Sequence, residues 1–440
     1  MKHPGQETER MRDEPQSEVK RVYYTLYGRL TEPKALVEAF RKVKRSKGAP
    51  GIDVQSIDAF EADLGAELRK LREELQRKSY RPLPVRRVEI PKPEGGVRKL
   101  GIPAVRDRVV QQMVLDVLQP IFEPHFHPSS YGYRPGRGAH HAIGKAQLFI
   151  RRYEMPYVVD MDLSKCFDRL DHELIIRQVR TRVTDGSILK LLRQFLESGV
   201  MEQGVLQETK EGSPQGGVIS PLLANIYLDA FDQFTMRRGY RIVRYADDIL
   251  IFAPSSKGAQ RRMREAVKFL EEELKLEVNR EKTELTTASE GIKFLGVVIH
   301  SGYTRVQKKK VKAFRAKLKK ATRRNSQVNL EKVIADINPL LRGYAHYFRV
   351  ANCNGELKDL MRWVRHRLRA KQMKLWKKPD RLHRQLRQMG YKGSFQKIKM
   401  QSWRNSSCAL AHMAMPTAWF DELGLFDMTS VETGYSVPGV

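Results

Sequence analysis

The chain has 440 residues, 81 Lys/Arg against 51 Asp/Glu, a formal net charge of +30 and an ordinary 41% of hydrophobic residues. That balance excludes an intrinsically disordered chain, and three scattered cysteines (Cys166, Cys353, Cys408) without a CxxC pair argue against a disulfide framework or a zinc ribbon. No apolar run is long enough for a membrane span and the polar start MKHPGQETERMRDEPQ lacks a signal-peptide core, so a reducing, cytoplasmic setting is the expectation.

In chain order, residues 1–20 read as a polar arm. Residues 34–79 read as helices with apolar residues at helical spacing, interrupted by the glycine-rich turn KGAPGID (47–53). Residues 83–103 read as a hairpin with its turn at Pro-Glu-Gly-Gly. Helices are expected at 105–122, from about 138, from about 171 and at 186–198. Between them, YVVDMDL (157–163) reads as a strand. A glycine-rich loop, EGSPQGG, then runs into a long helix, followed by strand–turn–strand in YRIVRYADDILIFAP. A helix at about 258–275 leads to strands around KFLGVVIHSG. The chain is helical and basic from 310 to about 388 and mixed thereafter. The whole is a multi-domain α+β pattern without a Rossmann rhythm, a GxGxxG loop or a Walker lysine motif.

The positive charge is not spread evenly. Residues 301–400 hold 29 Lys/Arg against 5 Asp/Glu, whereas the other 340 residues hold 52 against 46. A folded region this self-repelling implies a polyanionic partner, RNA or DNA, rather than merely a solvated basic face.

Within this basic chain, two strand ends carry carboxylates. Asp247 and Asp248 lie between the strand-forming RIVRY and ILIFA, which places them at a hairpin tip. Asp160 and Asp162 end the YVVDMDL strand, where residues two apart share a face. Asp168 and Asp171 read instead as helix-capping acids. Clustered carboxylates need a cation, and hard oxygen ligands select magnesium. Two such ions about 4 Å apart activate an attacking hydroxyl and stabilise a leaving pyrophosphate, the chemistry of nucleotidyl transfer.

YADD (245–248), DLSKCFD (162–168) and SPQGGVISPLLANIYLDAFD (213–232) resemble reverse transcriptase motifs, in the expected order. IPKPEGGVRKLGIP (90–103), SSYGYRPGRGAHHAI (129–143), NREKTEL (279–285) and IKFLGVVI (292–299) are similar to the group II intron reverse transcriptases (maturases), and NPLLRGYAHYF (338–348) to their thumb, or domain X. The resemblance spans roughly residues 20–425. It implies an α+β right-hand polymerase: an amino-terminal extension (1–80) with KGAPGID as its template-contacting loop, fingers and palm (81–300), a basic helical thumb (301–390) and a DNA-binding-like C-terminal segment (391–440). Without paired CxxC motifs, the chain resembles the endonuclease-lacking, group IIC-like members.

By the same resemblance, Asp162, Asp247 and Asp248 match the metal-binding triad for two Mg2+ ions, with the Leu163 carbonyl as a further ligand. Asp160 lies outside the motif. Phe167 matches the steric gate that favours dNTP over NTP, with an ordinary core aromatic as the alternative. Gln215 matches the residue lining the incoming nucleotide, Lys92 and Arg98 those that hold its triphosphate, and Lys282 the lysine that protonates the pyrophosphate. Phe294–Gly296 matches the primer grip. Tyr344, Tyr347, Trp363 and Trp376 either stack on RNA or pack helices together. The implied function is an RNA-directed DNA polymerase that also binds its intron RNA for splicing and retrohoming, with an RNA template, a DNA or RNA primer, dNTPs and a DNA target as partners. The alternatives are an intron-free reverse transcriptase serving repair or defence, and a non-catalytic RNA-binding splicing cofactor.

Overall fold

A computed structural model describes residues 21–91, 95–202, 205–207, 211–212, 216–395 and 397–434, the side chains of Val205 and Leu206 excepted. In chain order the strands are β1 (Val85–Pro91), β2 (Val97–Ile102), β3 (Tyr157–Met161), β4 (Val200–Glu202), β5 (Val205–Gln207), β6 (Arg241–Tyr245), β7 (Asp248–Ala253), β8 (Glu284–Thr287), β9 (Ile292–Phe294), β10 (Val297–Ile299) and β11 (Thr304–Val306). The chain divides into two compact units. The first contains the chain up to Phe126 with Lys165–Ala230 and Leu274–Leu276; the second contains His127–Ser164, Phe231–Glu273 and the chain from Glu277 onward.

In the first unit, Leu36, Ala39, Phe40 and Val43 recur at helical spacing on Pro33–Arg45 and are buried. Phe40 stacks on Phe60 with ring centroids 5.4 Å apart. Ser56 caps the helix Ile57–Ala62 by accepting from the Ala59 amide. Gly51 of KGAPGID abuts the Ala104 backbone so closely that a Cβ would overlap it, which explains the glycine. β1 and β2 form the expected hairpin, with Ile90 opposite Arg98. Its turn residues 92–94 lie outside the described residues. The sheet order is β2-β1-β4-β5, β4 lying parallel to β1. The β4–β5 pair has no counterpart in the sequence reading: three-residue strands are too short for a visible alternation.

The second unit is built on a four-stranded antiparallel sheet of order β6-β7-β3-β8. Val158, Val243, Leu250 and Phe252 point to one face and share a core with Ala142, Ile143, Ala146 and Phe149 of the helix Ala139–Arg151. Val159, Met161, Ile249 and Ile251 are buried on the other face. That core continues through β9, β10 and β11, in sheet order β11-β10-β9, into the helices Lys308–Ala321, Leu330–Phe348, Asn354–Trp376 and Pro379–Gln388. The expected basic helical region is therefore packed around an apolar interior continuous with that of the sheet. Tyr344 belongs to it, stacked on Phe314 with centroids 3.9 Å apart and its hydroxyl on Glu356.

Candidate active site

The YADD segment forms the β6–β7 hairpin with Tyr245 paired to Asp248, so Ala246 and Asp247 are the two loop residues. Ala246 has φ of 59°, the left-handed conformation that a two-residue hairpin turn demands and that glycine usually supplies. Asp247 therefore sits at the tip, and Asp248 is the first residue of β7.

The register brings the second carboxylate group alongside. Met161 pairs with Ile249, so one further step puts Asp162 across from Asp248. Asp160 pairs with Leu250 on one side and Glu284 of β8 on the other. Side chains alternate along a strand, so Asp160, Asp162 and Asp248 share a face. The helix Ala139–Arg151 covers the far, apolar end of that face, and the carboxylates occupy the open end. Beyond β3 the chain is fixed by an antiparallel bridge between Leu163 and Val278. Its two bonds run from the Ser164 amide to the Glu277 carbonyl and from the Asn279 amide to the Asp162 carbonyl. The Leu163 carbonyl is not used by this bridge.

The electrostatics follow from that grouping. Asp248 is exposed at the strand end, yet desolvation by the surrounding protein, then the negative charges of Asp247 and Asp162, push its carboxyl up to about 6. Burial, then Asp248, Glu284 and Asp162, push Asp160 up to about 7. Partial compensation comes from Lys282, whose Nζ lies 3.5 Å from Asp162 Oδ2, and from Lys293, which acts on Asp160. Among the described residues, no three His, Cys, Asp or Glu side chains are gathered closely enough to hold an ion as they stand. An open seat of carboxylate oxygens suits a hard divalent cation that keeps water and substrate phosphates among its ligands. A closed thiolate or imidazole site is not what these residues offer.

The hairpin is braced from below. Arg244 lies on the opposite face from Asp248, fully buried, and donates to both carboxylate oxygens of the fully buried Asp232. Its remaining nitrogen reaches the Ala246 carbonyl at 3.0 Å. The edge of β6 is occupied by SSYGYRPG: the Arg244 amide donates to the Ser129 carbonyl, and the Tyr131 amide to the Arg244 carbonyl. Gly132 then passes so close to the Ala246 amide nitrogen that a Cβ would overlap it. The motif residues alone do not point to this brace of Arg244 and Asp232. An arginine in the middle of an apolar strand is the signal that marks them.

The remaining sequence-predicted residues divide between the units. Asp162, Leu163, Asp247, Asp248 and Lys282 lie in the second. Phe167, buried, and Arg98, exposed on β2, lie in the first. Lys92 and Gln215 lie outside the described residues. Asp171 caps the helix His172–Arg180 by accepting from the Leu174 amide, the role expected of it. Phe294 to Gly296 form the turn between β9 and β10, where Leu295 and Gly296 both have positive φ and Tyr347 donates to the Leu295 carbonyl at 2.9 Å.

Residues 90–299 match the family "Reverse transcriptase (RNA-dependent DNA polymerase)", and residues 311–390 match "Group II intron, maturase-specific domain". Protein YkfC of Escherichia coli K12 is 38% identical over 61% of this chain and 80% of its own length. The group II intron-encoded protein LtrA of Lactococcus lactis subsp. cremoris is 29% identical over 66% of this chain and 58% of its own. The chain thus spans little more than half of LtrA. Among solved structures, a telomerase from Candida albicans is similar with a TM-score of 0.41 and 14% identity, covering 72% of this chain and 64% of that one.

Proposed function

Because the chain belongs to the group II intron reverse transcriptase and maturase family, we propose that it extends a primer along an RNA template by nucleotidyl transfer and binds intron RNA to promote splicing and retrohoming. The observation that carries the catalytic reading is the register that sets Asp162 across from Asp248, with Asp247 at the adjoining tip.

Catalysis in this family depends on divalent metal, and we propose Mg2+, held by Asp162, Asp247, Asp248 and the Leu163 carbonyl. Bound there, the ions would lower the cost of charge on the attacking hydroxyl and on the leaving pyrophosphate. The protein's own share is positional. Arg244 and Asp232 hold the tip from beneath, and the β3 register fixes Asp162 relative to it. Lys282 carries a proton at Nζ beside Asp162, where it can be passed to a pyrophosphate oxygen. The dNTP-binding roles of Lys92, Arg98 and Gln215, and the ribose-gating role of Phe167, rest on motif resemblance.

The basic helices of residues 301–400 supply the phosphate-binding surface that an RNA-containing duplex requires, a contact largely independent of base sequence. The test is primer extension on an RNA template with dNTPs and Mg2+, run beside splicing of a candidate intron RNA in the presence and absence of the protein. Magnesium-dependent cDNA together with accelerated splicing is expected. cDNA without any splicing effect would favour an intron-free reverse transcriptase, and splicing stimulation without cDNA a non-catalytic cofactor.

A further inference from the structure

A cleft of about 670 Å³ opens where the end of the helix Lys308–Ala321 meets the helix Asn354–Trp376 and the segment around Trp403. That volume falls within the roughly 300–1,000 Å³ of small-ligand pockets. Lys319, Lys320, Arg323 and Arg324 line it, no carboxylate does, and none of these four cations forms an ion pair among the described residues.

A helix end attracts basic side chains through its dipole, which would be an ordinary reason for lysines there. That requirement is already met by another residue. Arg367 is buried and donates to the Lys319 and Thr322 carbonyls and to Thr322 Oγ1. The four lining cations are therefore surplus to capping.

The second component is aromatic. The Arg367 guanidinium lies over the rings of both Trp363 and Trp403, at 5.0 and 5.3 Å from their centroids. His366 meets Trp403 edge-on at 4.7 Å, and its Nδ1 is in turn 2.9 Å from Ser407 Oγ. The Arg324 guanidinium reaches the Gln401 carbonyl at 2.7 Å, tying this segment to the helix end. Trp403 is thus fixed in place while 38% exposed. A held indole beside unpaired cations is complementary to a planar ring carrying a phosphate.

We propose that this cleft seats an unpaired nucleotide of a nucleic-acid strand, its base against Trp403 and its phosphates on Lys319, Lys320 and Arg323. The class of ligand rests on the RNA-binding reading above; the place and the demand for an unpaired base come from the cleft itself. A base inside a duplex is stacked on both faces and offers none to the indole, whereas a bulged or single-stranded one does.

The test uses the full chain and fluorescence anisotropy with a labelled RNA hairpin, either fully paired or carrying one bulged nucleotide. The wild-type chain is expected to favour the bulged hairpin by on the order of tenfold, the scale of one base–aromatic stack. Trp403→Ala should erase the preference and Trp403→Phe should keep most of it, which separates loss of stacking from loss of folding. Lys319→Ala with Lys320→Ala should weaken the bulged complex. A DNA hairpin pair of the same sequence identifies the source: a Trp403-dependent preference with either backbone supports the cleft. Equal binding of bulged and paired hairpins, or an unchanged preference in Trp403→Ala, would overturn it. Primer extension with the same preparation reports separately on the polymerase reading, so cDNA synthesis without any bulge preference would sink the cleft alone.

Discussion

Arg244 and Asp232 form a fully buried ion pair directly beneath the YADD turn, with Nε of the arginine 2.9 and 3.0 Å from the two carboxylate oxygens and Nη2 2.5 Å from Oδ2. A further bond, from Nη1 to the Ala246 carbonyl, ties the pair to the tip that carries Asp247. Removing one partner strands the other as a buried charge. Arg244→Ala or Asp232→Asn should therefore destabilise the protein by about 3–5 kcal/mol. The double replacement Arg244→Met with Asp232→Leu should cost less than either single variant in thermal unfolding, yet still impair primer extension, because the bond to Ala246 is gone.

Gly132 tests the same bracing from the side. Its Cα lies against the Ala246 amide, and even a methyl group has no room. Gly132→Ala should lower extension activity by tenfold or more through displacement of the turn, with circular dichroism unchanged. Normal activity in this variant would show that the contact does not position the tip.

Lys282 and Asp162 form a largely exposed pair, and such pairs contribute at most about 1 kcal/mol. Lys282→Ala should leave the melting temperature unchanged. If Lys282 donates a proton to pyrophosphate, the variant's single-turnover extension rate should fall by roughly a hundredfold or more. A rate within twofold of wild type would remove the lysine from the chemistry.

Asp107 gives the first unit a pH signature. It is buried, accepts from the Tyr80 hydroxyl at 2.6 Å and the Leu83 amide at 3.0 Å, and burial pushes its carboxyl up to about 6 despite those bonds. The folded state thus binds its proton more tightly than the unfolded state does. Stability should fall as pH rises from about 4 to 6, by on the order of 2–3 kcal/mol, and level off above. Measured by thermal unfolding across that range, Asp107→Asn should lack this component. A parallel pH dependence in wild type and variant would assign it elsewhere.

Much of this site was legible in the sequence because its signals are local. The strands either side of Ala246–Asp247 follow from apolar runs, and the helix cap at Asp171 follows from its position before LIIRQV. What was not legible depends on register between distant segments. Nothing in YVVDMDL announces that Asp160 pairs with Glu284 of β8, or that Asp162 falls opposite Asp248 rather than one residue away. Arg244 is the instructive case: a charged residue reads as exposed until its partner, twelve residues upstream on another element, is known. The parallel β1–β4 pairing joins segments more than a hundred residues apart and has no local trace.

The catalytic role of these carboxylates is tested by primer extension with an Asp247→Asn, Asp248→Asn variant, beside the wild-type chain, on one RNA template with dNTPs and Mg2+. Full-length cDNA is expected from the wild type and none from the variant, which should melt no lower than the wild type because it loses the mutual repulsion of these carboxylates. Full-length cDNA from the variant would contradict the assignment of these carboxylates to catalysis.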